Sequence, residues 1–277
     1  MVAEIKRKLC EKIFCETKLS ALRRAAIEQG LAGLRKELEN IVADIKDQYS
    51  CFQINDPYLE VKVRNLHAFQ VSLLNRVIDS FRKAVIVDIG DSSGAHLQYI
   101  KALHGKDKDI NFLSLNIDPQ AVARIRDKGF GALQAKAEDV DQHNIQADIF
   151  LCFETLEHLT DPARFLYKIS SNTKAHFLIV TVPYLRTSRV GFHHIRNNGS
   201  EKACAENTHI FELSPEDWKL LMRHSGWSAF FEQVYLQYPT KGVLRLTKNL
   251  WKRFDFEGFY GVILTRDNRW SAQYSDW

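Results

Sequence analysis

The sequence predicts an α/β protein: a mostly parallel seven-stranded sheet with helices on both faces, preceded by a helical N-terminal extension. Three observations predict it. From Ala84 onward, short β-branched apolar runs alternate with amphipathic stretches, the pattern of right-handed βαβ crossovers. The first run, AVIVDI, ends at a turn of small residues, GDSSG, before an amphipathic segment. The 277 residues, of average apolar and charged content, suffice for one large domain plus an appendage.

In chain order, residues 84–89, 110–116, 132–135, 147–153 and 176–182 read as the parallel strands, with ligands expected at their carboxyl ends. Residues 229–237 and 258–265 read as two closing strands around a basic insertion holding Lys241, Arg245, Lys248, Lys252 and Arg253. Upstream, Ile27, Leu31, Leu34, Leu38, Ile41 and Ile45 form a helical stripe with Arg35, Lys36, Glu37 and Glu39 between them. Ile5, Leu9, Ile13 and Phe14 make a shorter one, and Gly30 is expected only to dent the helix, so a hairpin or one long helix fits. This extension, residues 1–52, reads either as packing on the main domain or as a coiled-coil arm for a homodimer. After the break at Asn55, Asp56 and Pro57, the spacing of Leu66, Phe69, Leu73, Leu74, Val77, Ile78 and Phe81 predicts a helix covering the sheet, so the main domain is taken as 53–277.

A net charge of +4 lacks the basic excess of a protein held chiefly by nucleic-acid phosphates. The five cysteines form no C-x-x-C pair and are odd in number, which indicates neither a disulfide framework nor a thiolate zinc site and fits a reducing cytoplasm. No apolar run reaches bilayer length, so no integral membrane segment is expected.

In AVIVDIGDSSG, Asp88, Gly90, Ser92 and Gly94 stand in the order acid, Gly-x-Gly-x-Gly with serine at the middle glycine. With the motifs that follow it, the segment resembles the Rossmann-like class I S-adenosylmethionine-dependent methyltransferases over residues 84–265. The resemblance implies S-adenosyl-L-methionine as cofactor, held by Asp88, Gly90, Asp91, Ser92, Ser93 and Gly94. In LSLNIDPQAV it implies that Asn116, Ile117 and Asp118 meet the ribose, an asparagine standing where the family usually has an acid. Ala137, Glu138 and Asp139 match the adenine-contacting loop, and Phe153 with Glu154 the strand exit beside the cofactor.

The segment FETLEHL places Glu154, Glu157 and His158 three and four residues apart, so they share one face if the chain turns helical at Glu154. Glu-x-x-Glu-His, with His209 later in NTHIFELSPEDW, resembles the small-RNA 2′-O-methyltransferases and, less closely, the ubiquinone-pathway O-methyltransferases. That likeness implies Glu154, Glu157, His158 and His209 as ligands of Mg²⁺, Mn²⁺ or Zn²⁺. Without a metal, His158 or His209 serves as general base beside Glu157.

The insertion after the fifth strand carries Arg186, Arg189, His193, His194 and Arg196, whose cationic groups suit an anionic acceptor such as a sugar phosphate or nucleotide sugar. In the aromatic tail, Phe254, Phe256, Phe259 and Tyr260 read as a strand with one buried face, and Trp251 as an exposed contact. Together the residues predict O-methylation of a small or glycan-type acceptor. The alternatives are a catalytically silent cofactor-binding scaffold and an RNA 2′-O-methyltransferase.

Overall fold

In a computed structural model, residues 2–191, 204–249, 251 and 255–274 are described, with side chains from residue 15 onward. Five strands, β1 (Lys83–Ile89), β2 (Asp109–Asn116), β3 (Gly131–Gln134), β4 (Ile149–Phe153) and β5 (Phe177–Tyr184), run parallel. A two-residue pair, β6 (Arg189–Val190) and β7 (Phe211–Glu212), lies outside the main sheet. β8 (Trp227–Leu236) and β9 (Gly258–Arg266) close the main sheet antiparallel, in the order β3-β2-β1-β4-β5-β9-β8. Each of the seven strands of the main sheet lies within two residues of its sequence-predicted span, because continuous Val/Ile/Leu runs are what a sheet covered on both faces requires, whereas β6 and β7 had no such signal.

Successive strand residues serve opposite faces, as the period of two dictates. Val87, Ile89, Phe150, Cys152, Leu178 and Val180 bury on one side, with Phe165, Leu166 and Trp218 from the helices α6 (Pro162–Asn172) and α7 (Pro215–His224). Ile86, Ile149, Leu151 and Ile179 bury on the other, under α3 (Pro57–Leu74) and α4 (Ala95–His104). Truncating one such aliphatic residue to Ala costs about 2–5 kcal/mol. Helix starts share one chemistry: Asp56, Asp118, Asp161 and Ser214 each precede a proline and accept a backbone N–H of the first turn, in α3, α5 (Pro119–Asp127), α6 and α7.

The N-terminal stripe splits. Gly30 adopts φ +74°, which ends α1 (Val2–Glu28) and lets the chain restart as α2 (Ala32–Ile41), a hairpin rather than one dented helix. Leu31 and Leu38 bury with α3, and Leu22 buries with Val61, Tyr238 and Trp251, so the stripe packs within the chain. Two further expectations are corrected. Trp251 is fully buried rather than exposed, since its indole stacks on Tyr58 and fills the gap beneath α1. Val77, Ile78 and Phe81 lie beyond α3, which stops at Leu74; Ile78 instead opens a separate 3₁₀ turn (Ile78–Ser80) flanked by Val77 and Phe81 and still buries against the sheet.

Candidate functional site

At the carboxyl ends of β1, β2, β4 and β5 the structure opens a cavity of about 1520 Å³. Gly90 shapes its floor: at φ +93° the chain leaves β1, and a Cβ there would come within 2.2 Å of Thr155 Oγ1. Thr155 itself is fixed by donating to the carbonyls of Ile89 and Phe153. Asp91 folds the next turn, its Oδ1 accepting from the N–H groups of Ser93 (3.0 Å) and Gly94 (2.9 Å), and α4 starts from there. Asp88 is buried with no hydrogen-bond donor on either oxygen, His96 Nδ1 standing 3.4 Å away. Burial pushes the Asp88 carboxyl up to about 6 against the pull of His96.

The sequence leaves open whether Asn116 or Asp118 meets the ribose, and both line the cavity with their side chains engaged. Asn116 Nδ2 donates to the Asp91 carbonyl and its Oδ1 accepts from the Asp118 N–H at 2.8 Å, cross-linking the first two strand exits. Asp118 caps α5 and also accepts from the Ser50 hydroxyl. Although burial works the other way, hydrogen bonds from Ser50, Gln120 and Ala121 hold its carboxyl below the usual range. Ile117, Ala137, Glu138 and Phe153 line the cavity too, Ile117 being half exposed. Glu138 accepts from Thr160, while Asp139 is engaged with Gln142 and is absent from the lining.

Ser50 belongs to a strap, residues 45–54, that the sequence reading assigned no site role. Its two ends meet, Ile54 N–H donating to the Lys46 carbonyl, and Ile45 and Ile54 anchor it against Val63. Gln48 to Phe52 line the cavity. Gln48 accepts from the Ser93 hydroxyl at 2.7 Å, and Arg124 donates to both Ser50 Oγ and the Ser92 carbonyl. On the far side, the Glu206 carboxylate accepts the N–H groups of Ser50 and Cys51.

The opposite end of the cavity holds the histidines. The sequence expected Glu154, Glu157 and His158 on one helical face, and this is corrected. Glu154 sits at φ +47°, a left-handed conformation that turns the chain out of β4, and the 3₁₀ turn that follows spans only Leu156–His158. Glu154 therefore stays out of the ligand-spaced group, and the polar atoms within 4.8 Å of one another there belong to Glu157, His158 and His209. Burial pushes both carboxyls upward, Glu154 to about 8 and Glu157 well above the usual range.

Hydrogen bonds fix both imidazoles. His158 Nδ1 meets the Thr208 carbonyl at 2.9 Å, so it carries the proton. His209 Nδ1 meets Glu212 Oε1 at 3.0 Å and donates likewise. Both Nε2 atoms are thereby left as acceptors. The rings cross edge to face at 4.7 Å, and Phe256 stacks on His209. Burial, with a smaller push from His209, lowers His158 to about 4. Burial would raise Glu212, but hydrogen bonds from His209 and Arg189 draw it down to about 2. Glu157 has no hydrogen-bond partner on either buried oxygen. Glu212 was not singled out from sequence; its position three residues after His209 in HIFE was the available signal.

The cationic insertion is placed differently from expectation. Arg186 pairs with Glu257 at 3.3 Å and is absent from the cavity lining, and Arg189, which does line it, pairs with Glu212. These carboxylates neutralise them, so neither stands ready for an anionic acceptor. His193, His194 and Arg196 lie outside the described residues, as do Lys252, Arg253 and Phe254. The lining carries Asp88, Asp91, Asp118, Glu138, Glu206 and Glu212 against Lys62, Lys136 and Arg189, a negative balance even with Glu154 held protonated.

Residues 87–176 match the methyltransferase-domain family. The sheet order and helix layers around that segment are those of the α/β Rossmann-like methyltransferase fold. Solved structures share the methyltransferase fold. A Galdieria sulphuraria protein assigned as a sarcosine dimethylglycine methyltransferase superposes with a TM-score of 0.55 at 11% identity, over 85% of this chain and 99% of that one. The 1,6-didemethyltoxoflavin-N1-methyltransferase of Burkholderia thailandensis, solved with S-adenosylhomocysteine, gives 0.51 at 13% identity over 87% and 90%. The [4+2]-cyclase SpnF gives 0.53 at 12% identity over 73% and 81%. A cyclase among the neighbours of this methyltransferase domain means that the reaction has to be argued from the site rather than the fold. Among curated proteins, no sequence matches this chain significantly. No helix among the described residues is long and apolar enough to cross a membrane.

Proposed function

We propose that this methyltransferase moves the methyl group of S-adenosylmethionine to a hydroxyl oxygen, with sugar-type hydroxyls the acceptor class, and that His209 takes the hydroxyl proton. The observation that carries the reading is the His209–Glu212 pair on the cavity wall, an imidazole with its Nε2 free to accept and its Nδ1 held by an ionised carboxylate. A sulfonium-bound methyl needs no further activation, so catalysis consists of alignment, worth about 7 kcal/mol at best, and of removing the acceptor's proton. In that step the oxygen attacks the methyl carbon, the carbon–sulfur bond breaks, and the proton passes to His209 Nε2. Glu212 stabilises the imidazolium that forms, the role a carboxylate plays behind a catalytic histidine elsewhere. The negative lining of the cavity favours the cationic sulfonium over the neutral product S-adenosylhomocysteine.

The cofactor lies, in this reading, along Asp88, Gly90–Ser92, Asn116–Asp118 and Ala137–Glu138, with Ser50 completing the wall at Asp118; Ser93 and Gly94, also expected from sequence, are absent from the lining. The paired arginines argue for an uncharged acceptor hydroxyl over a phosphate-bearing one.

One observation favours a metal-assisted variant. Glu157's two buried, unpartnered oxygens and the Nε2 atoms of His158 and His209 make a donor set that fits a divalent ion, with Thr208 and Glu212 orienting the rings from behind. An ion there would supply Lewis acidity that lowers the pKa of the acceptor hydroxyl. An assay of labelled methyl transfer to a panel of neutral glycans, phosphorylated glycans and short RNAs, run chelated and with Mn²⁺, tests the proposal. Transfer to neutral sugar hydroxyls in chelator supports it. Transfer confined to Mn²⁺ moves the role to Glu157 and both histidines; transfer confined to RNA or to phosphorylated glycans removes the acceptor class; no transfer despite cofactor binding leaves a scaffold.

A further inference from the structure

The strap closes on the far side of the cavity through a contact that the proposed chemistry does not use. Cys51 Sγ on the strap touches Cys204 Sγ at 2.7 Å, across a sequence separation of 153 residues. Both residues line the cavity, and Cys51 is exposed to solvent. The sequence count of five cysteines gave no disulfide framework, and for the pairs that C-x-x-C spacing would reveal this holds; a long-range pair is invisible to spacing. We propose that Cys51 and Cys204 form a reversible disulfide that latches the strap shut over the cofactor cavity.

Three features support the assignment. The sulfurs stand 2.7 Å apart against a bond length of about 2.05 Å, so joining them asks for a sub-ångström shift at the sulfurs. They are held there by independent tethers, since Glu206, two residues from Cys204, accepts the N–H groups of Ser50 and Cys51. The remaining described cysteines are unsuited: Cys152 is buried in the sheet core and Cys15 lies on α1 against Trp251. Contact with the Cys204 thiol and the Glu206 carboxylate pushes the Cys51 thiol up to about 12, so only a small fraction is thiolate and the latch forms slowly.

The oxidant is a low-molecular-weight disulfide. Cys51 gives its proton to solvent, and the thiolate attacks one sulfur of that disulfide, breaking its S–S bond and releasing one small thiolate, which takes a proton back from solvent. The Cys204 sulfur then attacks Cys51 in the mixed disulfide, releasing the second small thiol with the Cys204 proton. Two protein thiols and one disulfide thus give one protein disulfide and two small thiols, and a reductant reverses both steps. In the reduced protein no covalent bond holds the strap, and lifting it breaks the hydrogen bonds at Ser93–Gln48, Ser50–Asp118, Arg124–Ser50 and Glu206 and unpacks Tyr49 from Ile45 and Ile54. In the oxidised protein residue 51 cannot leave residue 204, so the strap stays down. The consequence for exchange rests on the reading that S-adenosylmethionine occupies this cavity.

The test treats the full chain with oxidised glutathione or with dithiothreitol, maps disulfides by mass spectrometry of unreduced peptides, and times S-adenosylhomocysteine release by chasing with excess S-adenosylmethionine. The expected result is a Cys51–Cys204 cross-link in the oxidised protein and release slowed about tenfold or more, as for a lid that limits exchange. Dithiothreitol restores the rate, and neither Cys51→Ser nor Cys204→Ser shows the cross-link or the slowing. A glutathione adduct at Cys51 that never resolves onto Cys204, a cross-link to another cysteine, or an unchanged release rate in fully cross-linked protein overturns the latch. Absence of S-adenosylhomocysteine binding by the reduced protein overturns the cofactor reading instead, because the cross-link is read without ligand.

Discussion

The two ends of the cavity use their side chains differently. At the end formed by β1 and β2 the turns are tied down: Asp91, Asn116 and Asp118 bond backbone N–H groups, a backbone carbonyl and Ser50, and Arg124 and Gln48 add further ties, while Asp88 beneath them keeps both oxygens without a donor beside His96. At the end formed by β4 and β7, Glu157 keeps both oxygens unpartnered at zero exposure and two imidazoles present bare Nε2 atoms. A satisfied network rigidifies, whereas buried polar atoms without partners are costly and persist where something external completes them. The first end therefore shapes a rigid bed for a ligand, and the second handles protons or an ion during the reaction. Mutations at the two ends should separate binding from turnover.

The sharpest contrast comes from His209→Ala, which removes the proton acceptor and leaves the bed intact. Turnover should fall by about 10²–10⁴-fold, the usual contribution of general base catalysis, while S-adenosylhomocysteine affinity is kept; comparing kcat with a binding titration reads both. Gly90→Ala should do the reverse. Its Cβ would collide with Thr155 in a backbone conformation that L-residues rarely adopt, so about 3 kcal/mol of stability and much of the cofactor affinity should go, measured by urea unfolding and titration. Asp118→Ala removes a helix cap and the Ser50 tether, and should cost about 1 kcal/mol in the same unfolding experiment.

A further prediction is a pH dependence. Burial raises the Glu154 carboxyl to about 8 in the folded chain against an ordinary value of 4.5, so between those pH values the folded state holds a proton that the unfolded state has lost. Its contribution to stability is thus present below about 4.5 and is lost as pH rises toward 8. Glu154→Gln cannot ionise, so it should gain stability relative to the wild type from pH 5 to pH 8 in parallel denaturation curves. An unchanged difference would mean that Glu154 is solvated in the folded protein.

The sheet was legible because each strand is a short apolar run bounded by turn residues, and the Gly90 turn was legible because only small residues fit against Thr155. His158 and His209 came from spacing and family likeness, and the fold brings them together. Three things lay beyond the sequence. The left-handed Glu154 broke a helical-face argument that assumed regular backbone. The pairing of Arg186 with Glu257 joins residues 71 apart, so Arg186 and Arg189, unpartnered cations in sequence, are ion-paired in space. The strap carries no periodic pattern, and its ties to Ser93, Asp118 and Glu206 depend on tertiary contacts that no local signal encodes.

The most direct measurement of the central claim is a calorimetric titration of wild-type and His209→Ala protein with S-adenosylhomocysteine, chelated and then with Mn²⁺. The account predicts one ligand per chain in both proteins, with affinities within about twofold of each other in chelator, since binding and proton handling occupy different ends of the cavity. No saturable binding by the wild type, or binding that disappears with His209, would contradict it.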